Sequence, residues 1–222
     1  MKSNAKDTLS DLVDSEPLVQ DILKQLDSQL DPELHYHSAA HTKMVINRSI
    51  ELAHSDGLAD RDILLIGIAA AFHDAGFLEQ RADNERIGAK LAKKAMRNCN
   101  RFSTEEENLV SQMIMDTKLT EKGPAQVATT ALSAWLLDAD LANLGDATFL
   151  SQTELIALEL NIEIEEMLPL THKLMLRHNW QSPAGKLALR AGKEDNLLKL
   201  EGRLGLENSS NDHPHYTDRI SE

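Results

Sequence analysis

The chain has a single cysteine, Cys99, so no intramolecular disulfide can form, and the pattern fits a reducing compartment. Aromatic residues make up only 4% of the sequence, and no segment alternates polar and apolar residues with the period of a strand. That argues against a β-sandwich, whose core draws on aromatic and β-branched residues. Basic charge is short: 23 Lys and Arg face 36 Asp and Glu, giving a formal net charge of −13. Such a surface repels phosphate backbones, so nucleic acid is not an expected partner. The longest apolar run, residues 63–72, falls well short of the ~20 residues that span a bilayer. The N-terminus is polar and carries no apolar leader core. These absences together predict a cytoplasmic protein that does not enter a membrane.

What the chain has is leucine and alanine at helical spacing. One domain with an ample core is expected from 222 residues. Residues 31–206 are assigned to it, with a helical extension at 1–30 packed against it and a polar, disordered tail at 207–222. Pro17 should split the extension into two helices, Ser15 capping the second. Further helices are predicted near 38–53, 60–74, 84–98, 103–118, 125–138, 150–163, 165–178, 183–191 and 194–205. Ser103 and Glu106 have capping-box spacing, and Ser182-Pro183 suits an N-cap and first helical position. Lys90, Lys93, Lys94, Arg97 and Arg101 read as a solvated helix face.

Three segments carry potential chemistry. The run Ile63–Phe72 reads as a buried helix and closes on His73 and Asp74. An imidazole and a carboxylate at the end of a buried helix need compensation, and a divalent metal supplies it. Upstream, His37 and His41 are four apart, which on a helix places them on one face. Downstream, an apolar stretch ends in Asp138-Ala139-Asp140. Three converging helices would give one metal ion two imidazoles and two carboxylates and leave positions open for water. The bland alternative is a set of unrelated caps and hydrogen-bonded core groups.

The segments Tyr36-His37-x-x-x-His41, Phe72-His73-Asp74-Ala75-Gly76-Phe77 and Asp138-Ala139-Asp140-Leu141-x-x-Leu144-Gly145 together resemble the HD-domain superfamily of metal-dependent phosphohydrolases. The resemblance extends over about residues 30–205. It implies an all-α helical bundle with a metal site between core helices, formed by His41, His73, Asp74 and Asp140. Asp140 rather than Asp138 takes the family's final carboxylate position, and Asp138 is left to a supporting or helix-end role. His37 stands where some relatives keep the acid that protonates the leaving oxygen, a role that suits an imidazole titrating near neutrality. Its alternative is a histidine packed by Tyr36 or bound to a supporting carboxylate.

No histidine lies between Asp74 and Asp140, where relatives with two or three metals place extra ligands. One divalent ion is therefore expected: Mn, Fe, Co, Ni, Zn or Mg, among which mixed N/O sites discriminate poorly. The resemblance implies hydrolysis of a small phosphate ester, such as a nucleotide or phosphorylated metabolite. The alternatives are a non-catalytic module and, on the same scaffold, an oxygenase. Cationic groups for the phosphoryl oxygens are sought in Lys118 first, then Arg81 and Lys193, with Asn84 as a further substrate contact. Lys118 also reads as a helix C-terminal cation. His178 reads as a packing residue. A homo-oligomer is allowed.

Overall fold

The computed structural model describes Val13 and residues 15–206, and among these it is all-helical, with no strand. Nine helices follow one another: α1 (Pro17–Gln29), α2 (Ala39–Ser55), α3 (Asp60–Phe72), α4 (Asn84–Cys99), α5 (Thr104–Asp116), α6 (Ser133–Asp140), α7 (Phe149–Leu160), α8 (Ile164–Arg177) and α9 (Pro183–Arg203). Short 3₁₀ turns at Ala75–Leu78 and Ala142–Gly145 follow α3 and α6. The proposed tail at 207–222, and the first half of the N-terminal extension, lie outside the described residues. No described helix is long and apolar enough to cross a membrane.

Helix α3 sits at the centre because it is apolar all round: residues 63 to 72 are all buried. Each large side chain removed from water contributes roughly 1.5–3 kcal/mol, which drives the other helices to envelop it. Helix α2 supplies Val45, Ile46 and Ile50 to this core, α5 supplies Val110, Met113 and Ile114, and α1 supplies Val19, Ile22 and Leu26. A second apolar cluster, with Phe149, Met175, Trp180, Leu189 and Leu200, joins α7, α8 and α9. Helix α4 closes on the end of α3 at Gly88, where an added Cβ would lie 2.4 Å from the Phe72 carbonyl oxygen. The residues after Phe72 are thereby held firmly below the surface.

Several helix ends obey their sequence signals. Ser38 caps α2 through the His41 amide, Ser103 and Glu106 form the capping box of α5, and Ser182 accepts from the Gly185 amide at the start of α9. Others differ from expectation. Glu16, not Ser15, caps α1: its carboxylate accepts from the Leu18 amide and is bound by Arg101. The helix expected over 125–138 begins only at Ser133. Buried Asp116 accepts from the Thr129 amide at 2.8 Å and from the Ser133 hydroxyl at 2.6 Å, so it ties the preceding segment down as a loop. The two helices expected over 183–205 are one. Gly192 does not break it; an added Cβ there would lie 2.0 Å from the Gly145 carbonyl oxygen, so the glycine permits close approach to the turn after α6.

Candidate metal centre

Four side chains converge where α3 and α6 end and α2 begins. His73 is the C-cap of α3 and Asp74 follows it; Asp140 is the last residue of α6; His41 lies in the first turn of α2. The His73 Nε2 stands 3.1 Å from Asp74 Oδ2 and 3.5 Å from Asp140 Oδ1. The His41 Nε2 stands 3.6 Å and 3.7 Å from the same two oxygens. None of these approaches has hydrogen-bond alignment: His41 Nε2, His73 Nε2 and Asp74 Oδ2 are buried without a partner. Orphaned buried polar atoms are costly, each by roughly 1–3 kcal/mol. Three such atoms gathered together could be satisfied by one common partner.

A cation fits that point. Ligand atoms 2.0–2.2 Å from one ion, at right or tetrahedral angles, lie about 3.0–3.5 Å apart. The four histidine–carboxylate separations are within a few tenths of an ångström of that range, while Asp74 falls outside the group of mutually close ligand atoms. The ligand atoms of His41, His73 and Asp140 all lie within 4.8 Å of one another, a group able to hold a metal ion. The supporting contacts orient the donors. His73 donates from Nδ1 to the Ala70 carbonyl at 2.7 Å, which turns Nε2 into the centre. Asn84 donates to Asp74 Oδ1 at 3.3 Å, and Gln126 donates to Asp140 Oδ2 at 2.8 Å, leaving the other oxygen of each carboxylate for the centre.

The electrostatics agree. Burial opposes a charge on His73, yet Asp74 and Asp140 outweigh it and push the imidazole well above its ordinary range. Burial likewise opposes ionised Asp74 and Asp140, and the neighbouring histidines nevertheless hold both below the usual carboxylate range. The cluster demands positive charge.

His37 is not on α2, contrary to the one-face expectation. It precedes the Ser38 cap, in the bend before the helix. Its placement comes instead from Glu159 of α7, a residue the sequence did not flag. One oxygen of that buried carboxylate accepts the amides of Tyr36 and His37, both at 2.9 Å, and the other meets His37 Nδ1 at 2.5 Å. The ring stacks on Phe77 with centroids 4.7 Å apart. Burial works against its protonation, but Asp74 and Glu159 prevail and raise its pKa.

His37, Asp74, Asn84 and Asp140 border one cavity of about 310 Å³. Lys118 does not line it; its ammonium lies 3.3 Å from Asp83 on an exposed surface. Arg81 reaches the Glu159 carbonyl oxygen at 3.1 Å, and Lys193 donates to the His178 carbonyl oxygen in a separate groove beside Trp180. The structure thus brings six of the seven sequence-derived site residues together and leaves Lys118 apart. Asp138 faces the other way and accepts from the Gln181 and Ser182 amides and the Ser182 hydroxyl, holding the start of α9. His178 packs edge-on against Trp180, as expected of a packing residue. Comparison with protein-family models, with curated proteins and with solved structures finds no match.

Proposed function

We propose that the protein is a metal-dependent phosphohydrolase acting on a small phosphate ester, with His41, His73, Asp74 and Asp140 as the ligands of one divalent ion. The observation that carries this reading is the trio of buried, unpartnered atoms, His41 Nε2, His73 Nε2 and Asp74 Oδ2, gathered beside Asp140 at the wall of a cavity. A divalent ion held there would supply Lewis-acid polarisation of the phosphoryl group and water acidic enough to ionise near neutrality. The chain's own residues divide the remaining work. Asn84 and Gln126 fix the two carboxylates. His37 borders the same cavity, its pKa raised by Asp74 and then by Glu159 against the cost of burial, and its Nε2 is placed to donate a proton to the departing ester oxygen. The cavity walls limit access of bulk water to the reacting group.

The ligand set also argues against the oxygenase alternative, since the cluster holds only two histidines and no second group of metal-ligating residues is found among the described residues. A cavity without a lysine or arginine leaves room for a second reading, in which the ion merely anchors a regulatory ligand. Metal analysis of the purified protein, followed by a screen of phosphorylated compounds with Mn, Fe, Co, Ni, Zn and Mg, separates these. Expected are about one ion per chain and metal-dependent phosphate release. Stoichiometric metal with no release from any ester would sink the hydrolase reading, and no bound metal would sink the site.

A further inference from the structure

The cavity beside the metal centre has an unusual lining for an anion-handling site. No lysine or arginine borders it. Its walls are instead Phe77, Leu119, Ile156, Leu160, Met167 and Leu174. The hydroxyls of Thr117 and Thr153 are given to the Ile114 and Phe149 carbonyls. Two buried atoms of the lining remain unpartnered, Thr171 Oγ1 and Asn143 Oδ1. Two such atoms can satisfy one small polar group but not a ribose together with a base. Leu119 and Leu160 are 48% and 51% exposed, so apolar surface continues to the point where the cavity meets solvent. Of the ionisable groups bordering the cavity, only His37 can carry positive charge; Asp74, Asp140 and Glu85 are carboxylates, so a phosphoryl group needs the ion at the metal centre to balance it.

We propose that the substrate is a phosphate ester whose ester group is aliphatic or aryl, seated in this cavity, with the phosphoryl group alone at the metal centre. The proposal rests on the phosphohydrolase reading for the reaction, but the apolar subsite is a property of the cavity itself. A cavity of about 310 Å³ has room for an extended hydrocarbon chain or a ring. Transfer of each methylene from water into such a lining strengthens binding by about fourfold.

The test uses n-alkylphosphonates, which cannot be hydrolysed, from methyl to dodecyl. Their dissociation constants are measured calorimetrically on the full chain with and without Mn²⁺. In the wild type, affinity should rise about fourfold per methylene and then level off within the series, where the chain outgrows the cavity. Ile156→Gln, at a half-buried position on α7, should flatten that slope. A constant affinity along the series, no binding in either condition, tighter binding of nucleoside monophosphates than of any alkylphosphonate, or an undiminished slope in Ile156→Gln would each overturn the proposal. Turnover of the matching alkyl phosphates is scored separately. Chain-length-dependent binding without turnover would overturn the hydrolase reading and leave the apolar subsite standing. Turnover without any chain-length trend would do the reverse.

Discussion

Asp138 and Asp140 are two residues apart on one short helix, and the structure predicts opposite phenotypes for their loss. Asp138 is fully buried and accepts three hydrogen bonds at the start of α9, from the Gln181 amide at 2.8 Å, the Ser182 amide at 2.8 Å and the Ser182 hydroxyl at 2.6 Å. Asp138→Ala strands those donors, at roughly 1–3 kcal/mol each. Burial also pushes the Asp138 carboxyl above its ordinary range, so the carboxylate's own desolvation offsets part of the gain. A net loss of about 3 kcal/mol is expected, which for a chain of this size lowers Tm by about 6–12 °C. Asp140→Ala removes a metal donor and no helix cap, so its metal-free Tm should change much less. The two variants separate when metal is added. An ion at a hundredfold its Kd contributes about 2.7 kcal/mol, or about 5–11 °C in Tm. That increment should survive in Asp138→Ala and vanish in Asp140→Ala. The assay is thermal unfolding after chelation and again with Mn²⁺. Loss of the increment in Asp138→Ala, or its retention in Asp140→Ala, would refute the assignment of the two carboxylates.

Three further outcomes are expected. His37→Ala should keep metal and lose ~10²–10⁴-fold in turnover on esters with poor leaving groups, with a much smaller loss on a nitrophenyl ester; loss of metal in that variant would make His37 a ligand, and full activity would make it structural. Lys118→Ala, which breaks only an exposed pairing with Asp83, should leave KM within about twofold and stability within about 0.5 kcal/mol; a large rise in KM would return Lys118 to the substrate. His178 is buried, its pKa lowered to about 3 by burial and then by the Lys193 ammonium. The folded state therefore rejects a proton that the unfolded chain accepts near 6.5, so stability is full above that pH and falls below it by up to ~1.4 kcal/mol per unit. Urea midpoints of wild type and His178→Phe should diverge between pH 6.5 and 4.5, and parallel curves would contradict the burial argument.

The cluster of His73, Asp74 and its neighbours was legible because its cause is local. A helix buried on every side cannot end in His-Asp without a compensating group, and that incongruity is visible in Ile63–Asp74 without coordinates. The capping signals of α2, α5 and α9 are local for the same reason. What was not legible depends on distant partners. Glu159 lies 122 residues from His37, inside an apolar stretch where nothing marks one glutamate as a buried acceptor. Gln126 lies in a segment that reads as helix until Asp116 is seen to bind Thr129 and Ser133. The two helices expected over 183–205 are one, and what the sequence does not show is that Gly192, inside that helix, lacks a side chain where Gly145 approaches. Lys118 was the converse case: a cation near the right helix end, drawn by Asp83 to the surface instead.

The placement of the centre has a further physical basis in helix ends. His73 and Asp74 follow the last turn of α3, and Asp140 closes α6, so two sets of terminal carbonyls point toward the cluster with partial negative charge. The negative ends of these two helix dipoles add to the two carboxylates, although the Ala70 carbonyl is bonded by His73 and the Leu137 and Ala139 carbonyls by the Leu141 amide; the first turn of α2, which carries His41, opposes them. Asp74 and Asp140 favour the charged form of His73 against the cost of burial, which is why that imidazole is pushed up. A divalent ion held there would also give His41 Nε2 and Asp74 Oδ2 a partner, which a single proton cannot do. Asp138 escapes this field through helix geometry. Two residues turn the chain by about 200°, so the carboxylates of one short helix face opposite sides, Asp140 toward the ion and Asp138 toward the first amides of α9.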